Sequence, residues 1–284
     1  MPPSLASVNK TIVPLEQAQI SALDRGFLFG DAVYEVIRVY HGHPWLLAEH
    51  FQRLAHSLSE LQISGVDLQS LAARVVELLK TGGFGEAIIY IQISRGIAPR
   101  KHTFPTNVTP TEFFYIKDFH DSLAEERQIG AKAITYPDLR WQRCDIKSTN
   151  LLGNVLAIQA AKEADCVEAL LYQPDGTFTE GTHTSLFAVK GDVILIPPLG
   201  HGLLPGITRE LVKQLAFNCN LKVQETSFRR EDLPEFTELF LTGTTSEVLP
   251  LTQVDDEPIG VGTPGPVAHQ LQRAYEKTVQ QMQT

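Results

Sequence analysis

Between Ala32 and Ser94 the spacing of apolar residues passes from a period of two to the helical period and then to an unbroken run, which restricts the chain to folds that pack helices on a sheet. Ala32 to Tyr40 alternates, with Val33, Glu35, Ile37 and Val39 on one face and Tyr34, Val36, Arg38 and Tyr40 on the other. Glu49 to Leu61 carries Phe51, Leu54, Ala55, Leu58 and Leu61 at helical spacing. A second helix, Leu68 to Lys80, ends at Thr81-Gly82-Gly83, and Ala87 to Ser94 follows as a near-continuous apolar strand. Thr111 to Phe119 is another strand. Beyond it, Val167–Tyr172, Thr177–Glu180, Ser185–Val189 and Val193–Ile196 read as strands separated by turns, with helices near Leu152–Gln159, from a start within Leu204–Glu210 to Phe217, and from His269 to about Gln280. The expectation is a mixed α/β (α+β) fold. At 284 residues it fits two domains: residues 1–119, a linker at 120–124 within the polar run around Asp118 to Ser122, and residues 125–284.

Charge and composition narrow the function. With 24 Lys plus Arg against 33 Asp plus Glu, the formal charge is −9, which argues against a nucleic-acid partner. No apolar run reaches the length of a membrane span, and Met1-Pro2-Pro3-Ser4 lacks the basic and apolar regions of a signal peptide, so a cytoplasmic protein is expected. The three cysteines, Cys144, Cys166 and Cys219, form no CxxC pair and suggest neither a disulfide framework nor a zinc site. His41-Gly42-His43 has metal-ligand spacing but no acidic or cysteine partner in register, and reads as a hairpin tip; no metal is expected.

The chemistry centres on Arg140-Trp141-Gln142-Arg143-Cys144-Asp145-Ile146-Lys147-Ser148-Thr149-Asn150-Leu151-Leu152-Gly153-Asn154. This reads as a short strand, Arg143 to Lys147, entering a helix with Leu152, Val155, Leu156 and Gln159 on one face. A lysine at such a junction is either desolvated, which suits an amine that attacks carbonyls, or a strand-end lysine reaching the surface. Tyr34 opens the first strand after a glycine-bounded loop and fits either a pocket or the core. Arg53 lies off its helix's apolar stripe; it is either exposed or a bidentate phosphate ligand. Arg100 and His102, on a loop stiffened by Pro99, share one side of an extended segment and fit a carboxylate grip or a solvated surface. Glu180, at a strand end before Gly181, suits either an acceptor for a ring N–H or a plain turn residue. Two anion sites are available: the helix start at Gly206-Ile207-Thr208, and Thr242-Gly243-Thr244-Thr245-Ser246 after an apolar strand. Neither matches a Walker loop or a dinucleotide fingerprint.

A lysine, a carboxylate, two anion cups, an arginine and a cationic loop are together the set that pyridoxal 5'-phosphate needs. Through DRGFLFGDAVYEV from Asp24, RGIAPRKHTFP from Arg95, RWQRCDIKSTNLLGNVLA from Arg140, TEG at Thr179, GITR at Gly206 and TGTTSE at Thr242, the chain resembles the fold-type IV (class IV) pyridoxal-phosphate aminotransferases, and among them the bacterial D-amino-acid enzymes. The resemblance implies two α/β domains with the cofactor in the cleft between them, the second domain carrying the Schiff-base lysine, Lys147. It implies Glu180 at the pyridine nitrogen, Arg53 with Ile207, Thr208 and Thr244 at the phosphate, and Tyr34, Arg100 and His102 as a trap for the substrate carboxylate. It also implies a homodimer and ping-pong transfer between a D-amino acid (D-alanine, D-glutamate type) and a 2-oxo acid. A branched-chain-type aminotransferase, an aminodeoxychorismate lyase of the same fold and a cofactor-binding protein without turnover are the competing readings. The chain departs from the pattern at Ser185, at Thr182-His183-Thr184 and at Gly243, where asparagine, smaller residues and serine respectively are usual.

Overall fold

A computed structural model describes residues 4–283; Met1, Pro2 and Pro3, on which the reading of the leader rests, lie outside them. The chain divides into two units, one running to His120 and taking in Ile146–Asn150, the other holding Asp121–Asp145 and the chain from Leu151. The division differs from the expected one in the placement of Lys147, which was assigned to the second domain and here belongs with the first unit. Its backbone is the reason, since it is hydrogen-bonded to strand and helix residues of that unit, as described below.

The first unit contains β1 (Leu5–Val8), β2 (Thr11–Pro14), α1 (Arg25–Phe29), β3 (Ala32–Tyr40), β4 (His43–Pro44), α2 (Leu47–Glu60), α3 (Leu68–Gly82), β5 (Ala87–Ser94) and β6 (Thr111–Asp118). The sheet order is β2-β1-β6-β5-β3-β4, and β3, β5 and β6 pair antiparallel in unbroken register from Ala32↔Ser94 to Val39↔Ala87 and from Ser94↔Thr111 to Ala87↔Asp118. Alternation along β3 gives the sheet two unlike faces. Val33, Ile37 and Val39 meet Leu54 and Leu58 of α2, Leu71, Val75 and Leu78 of α3, and Ile89, Ile91 and Ile93 of β5 in a buried core. Each such side chain contributes about 1.5–3 kcal/mol on burial. The other face carries an aromatic row, Tyr34 stacked on Tyr90 at 5.8 Å and Tyr90 on Tyr115 at 5.2 Å between ring centres. His41 and Gly42, with φ of 52° and 80°, form the two-residue tip between β3 and β4, the turn that the histidine pair was read as.

The second unit contains α4 (Ala124–Ile129), β7 (Ala131–Pro137), α5 (Leu152–Glu163), β8 (Glu168–Tyr172), β9 (Phe178–Gly181), β10 (Ser185–Lys190), β11 (Val193–Ile196), α6 (Ile207–Asn218), β12 (Lys222–Glu225), β13 (Glu238–Gly243), β14 (Glu247–Val254), β15 (Glu257–Pro258) and α7 (Pro266–Gln280). Its sheet runs β12-β11-β10-β13-β14-β7-β8-β9, with β15 paired to β14. The pairs β11–β12, β14–β7 and β7–β8 are parallel, and the other pairs are antiparallel. Leu170, Phe178, Leu186, Leu239, Leu241, Leu249 and Leu251 lie in its main core.

Two local expectations fail. Arg143 to Lys147 is not a strand: Arg143 and Asp145 are joined side chain to side chain, at 2.9 Å for both Nε and Nη2, and the chain turns at Cys144-Asp145. The helix that follows forms as read but buries another face. Ala157 and Ala161 pack on Ala169 and Leu171, whereas Leu152, Val155 and Leu156 are 72%, 54% and 51% exposed. Small alanines let α5 approach the sheet closely, so the bulkier stripe points outward.

Candidate active site

In the first unit, the segment Ile146–Asn150 is stitched to the start of β3. Tyr34 N donates to Lys147 O at 3.0 Å, Thr149 N donates to Ala32 O at 3.0 Å, and Val33 and Ser148 form an isolated bridge. Lys147 N donates to Ser57 Oγ of α2 at 3.1 Å, and Ile146 is buried in the core. The lysine's main chain is thus held on both sides, while its side chain is only half-buried. Lys147 Nζ lies 4.2 Å from the centre of the Tyr34 ring, a cation–π contact. No carboxylate among the described residues pairs with this amine. An amine fixed at its backbone, resting on an aromatic face and free of an acidic partner is suited to act as a nucleophile and proton carrier.

A glycine sets how closely this segment approaches. Gly30 caps α1 in the left-handed region, φ 67°, and a Cβ there would lie 2.4 Å from Asn150 Oδ1. Asn150 Nδ2 donates to Gly30 O at 3.3 Å, which ties the segment's end to the turn before β3.

One residue beyond Tyr34, on the core face of β3, stands Glu35. Arg53 Nε and Nη2 donate to its two oxygens at 2.8 Å each, and His50 Nδ1 lies 2.7 Å from Oε2. Burial alone would raise the Glu35 pKa; the charge and hydrogen bonds of Arg53, with those of His50, bring it down to about 2. Burial pushes the His50 pKa down against the pull of Glu35, so the ring is neutral and donates through Nδ1 to a carboxylate that can only accept. Arg53 is therefore buried, not exposed, and two of its nitrogens orient on Glu35. Arg100 and His102 are exposed and share one neighbour: the Arg100 guanidinium lies 5.2 Å, and the His102 ring 5.5 Å, from the centre of Phe29. Among the described residues neither is hydrogen-bonded to Tyr34 or Lys147.

In the second unit, Glu180 ends β9 almost wholly buried. Arg140 Nη1 donates to its Oε1, and Leu204 N donates to Oε2 at 3.2 Å. Arg140 is itself set by Asp138, through Nε at 2.9 Å and Nη2 at 2.8 Å. Burial pushes the Glu180 carboxyl above its ordinary range, with Arg140 opposing the rise. Ile207 and Thr208 open α6 after Gly206, and no side chain caps that helix start. The place a Cβ on Gly206 would take is 2.6 Å from Ser185 Oγ, and Ser185 is paired in register with Thr242. Thr242 Oγ1 and Ser246 Oγ are buried without a hydrogen-bond partner, at either end of the turn that carries Thr244. Uncapped amides and orphaned hydroxyls together have the donor chemistry of a phosphate cup.

The departures at Thr182-His183-Thr184 have a local cause. Glu168 is buried, and it accepts from Thr182 N at 3.0 Å, from Thr182 Oγ1 and from Thr184 Oγ1 at 2.9 Å; His183 Nδ1 lies 3.1 Å from it. The threonines supply the donors a buried carboxylate requires. Sequence reasoning missed Glu168, Glu35, His50, Asp138 and the role of Arg140. For Glu35 a signal was present: a carboxylate on the apolar face of an alternating strand needs a cation, and His50 and Arg53 stand three apart on the next helix.

Comparison with known proteins gives the family. Residues 32–254 match the family described as amino-transferase class IV. A D-alanine aminotransferase of Staphylococcus haemolyticus is 38% identical over 275 residues, 96% of this chain and 97% of that protein. Another from Bacillus licheniformis is 38% identical over 275 residues, 95% of each chain. Among solved structures, a branched-chain amino acid aminotransferase of Escherichia coli superposes with a TM-score of 0.92 at 26% identity, covering 97% of this chain and 94% of that one. The T.th. branched-chain amino acid aminotransferase with pyridoxamine 5'-phosphate gives 0.91 at 30% identity, covering 98% and 94%.

Proposed function

The chain belongs to the class IV aminotransferase family, and we propose that it transfers the amino group of a D-amino acid, of the D-alanine or D-glutamate type, to a 2-oxo acid. What carries the substrate side is full-length similarity to D-alanine aminotransferases, 37–39% identical, joined to a cationic pair, Arg100 and His102, gathered on one aromatic ring. The fit to pyridoxal 5'-phosphate rests on the orphaned Thr242 and Ser246 hydroxyls beside the uncapped start of α6. Lys147 would hold its carbonyl carbon and Glu180 its ring nitrogen, while Arg53, Ile207, Thr208 and Thr244 would hold its phosphate. When bound, the cofactor supplies a carbonyl that takes up the amino group and a ring that spreads the negative charge left at the substrate's Cα.

The residues do the rest. Lys147 Nζ would accept the proton from the substrate's Cα, and its fixed backbone determines the face from which it does so. Glu180, turned by Arg140, keeps a proton at the ring nitrogen. Arg100, His102 and the Tyr34 hydroxyl grip the carboxylate, which decides whether a D or an L substrate offers its α-hydrogen to the lysine. The first product leaves before the second substrate enters, giving ping-pong kinetics. The protein on this reading is a cytoplasmic homodimer. All three cysteines are free thiols, and the outward Leu152, Val155 and Leu156 of α5 are an apolar stripe of the kind that subunit contacts cover.

A panel of D- and L-amino acids with 2-oxoglutarate, product enantiomers resolved, tests it. D-alanine or D-glutamate should turn over well, and L-leucine and L-valine poorly. A preference for L-leucine would assign the chain to the branched-chain activity of its structural neighbours. Release of pyruvate without a keto-acid acceptor would make it a lyase.

A further inference from the structure

We infer that Arg25 and Asp31 are positioning residues, a clamp that fixes the loop carrying Arg100 and His102 and so aligns the substrate's carboxylate; this rests on the carboxylate-grip reading above. Arg25 opens α1 and is 3% exposed, and each arm of its guanidinium is engaged. Nε donates to Asp31 Oδ2 at 2.7 Å, Nη1 to Lys101 O at 2.6 Å and Nη2 to His102 O at 3.4 Å. The two carbonyls belong to the peptide units on either side of the His102 Cα, the first of them beginning one residue after Arg100. The Arg25 guanidinium also lies 4.7 Å from the centre of Phe29, the ring on which Arg100 and His102 both rest.

Asp31 ties this arm to a second one. Arg95, 5% exposed, donates to it through Nε at 2.8 Å and Nη2 at 3.0 Å, donates to Gln62 O and Leu61 O at 3.0 and 2.6 Å, and lies 3.6 Å over the Phe104 ring. The loop is thus held at its root, at its middle and beyond His102. Main-chain bonds add to the hold, with Arg25 N donating to Gly96 O at 2.9 Å and Arg95 N to Asp31 O at 3.0 Å. Gly96, φ 106°, permits the path, because a Cβ there would lie 2.0 Å from Thr109 O.

Arg100, Lys101 and His102 are exposed, so the Arg25 contacts bury little apolar surface and add little to the core. What they do is limit where two cationic side chains stand, so that loosening them weakens the hold on the substrate's carboxylate before it touches the reacting groups themselves. Only a planar fork reaches one carboxylate and two carbonyls at once, so lysine cannot replace Arg25.

The test compares wild-type holoenzyme with Arg25→Lys and Asp31→Asn. Both should raise KM for D-alanine by about tenfold or more while kcat at saturation falls less than about threefold and the cofactor is retained on dialysis. Both should also be cut faster by trypsin after Arg100 or Lys101. Arg25→Lys keeps the charge opposite Asp31 and guards against simple misfolding. The clamp is overturned by an unchanged KM, by kcat and cofactor retention falling while KM holds, or by unchanged cleavage in folded variants. Arg100→Ala, run alongside, separates the two ideas. If it leaves KM for D-alanine unchanged, the carboxylate-grip reading itself fails; if it raises KM and Arg25→Lys does not, the clamp alone fails.

Discussion

Glu35 sits on the core face of β3, where an unpaired carboxylate would cost several kcal/mol, and it is tolerated because Arg53 and His50 meet both of its oxygens. Its folded pKa, about 2 against an ordinary 4.5, lies below the unfolded value. The sign follows: the folded chain resists protonation there, so Glu35 adds stability above about pH 4.5, and this is lost as the pH falls toward 2. From that shift the contribution is on the order of 3 kcal/mol. Urea unfolding midpoints of wild type should decline steeply through this window, and those of Glu35→Gln should decline less. Lys147 makes a different kind of demand, a reactive amine rather than a paired charge. Borohydride treatment of the holoenzyme and peptide mapping should place a pyridoxyl mass on Lys147; the same mass on another lysine would remove it from the centre of the reaction.

At the scale of elements, the lysine's position is set by the fit of Ile146–Asn150 against β3 and the end of α1. Gly30→Ala forces a Cβ into left-handed backbone 2.4 Å from Asn150 Oδ1. The strained backbone alone costs about 1 kcal/mol, and displacing Asn150 adds to it. Gly30→Ala should lower the melting temperature and, by moving the segment that carries Lys147, reduce kcat. Adding Asn150→Ala should relieve the clash but not the strain, giving partial recovery; a double variant no better than the single would locate the cost in φ alone. Where the expected strand Arg143–Lys147 overlaps this segment, the Lys147 backbone finds its partners one at a time, on Ser57 and Tyr34, with no ladder between them.

At the scale of the molecule, the outward stripe on α5 bears on assembly. Leu152, Val155 and Leu156 lie near one another on successive turns and are more than half exposed, while Ala157 and Ala161, with Ile158 beside them, seat the helix on its sheet. If subunits meet there, Leu156→Glu should shift the sedimentation coefficient from that of a dimer toward that of a 31.5 kDa monomer. An unchanged dimer would mean that the contact lies elsewhere. No helix among the described residues is long and apolar enough to cross a membrane.

The local elements were legible because their signals are local. The strands Ala32–Tyr40, Ala87–Ser94 and Val193–Ile196 run between the residues at which their periodicity starts and stops, and Gly83 caps the helix that the glycine pair was expected to end. The family was legible too, since its motifs are short runs of fixed residue type, and the match over 32–254 bears it out. What sequence spacing did not carry is how charges are paired across distance. Glu35 finds Arg53, Glu180 finds Arg140, Glu168 finds the threonines, and Asp31, already paired with Arg25, finds Arg95 across 64 residues of chain. Nor does periodicity tell a face that packs from one left outside, as α5 shows. A buried charge is stable only beside its partner, and which residue becomes that partner depends on where β-pairing and helix packing bring distant segments together, so that choice was made by the tertiary structure.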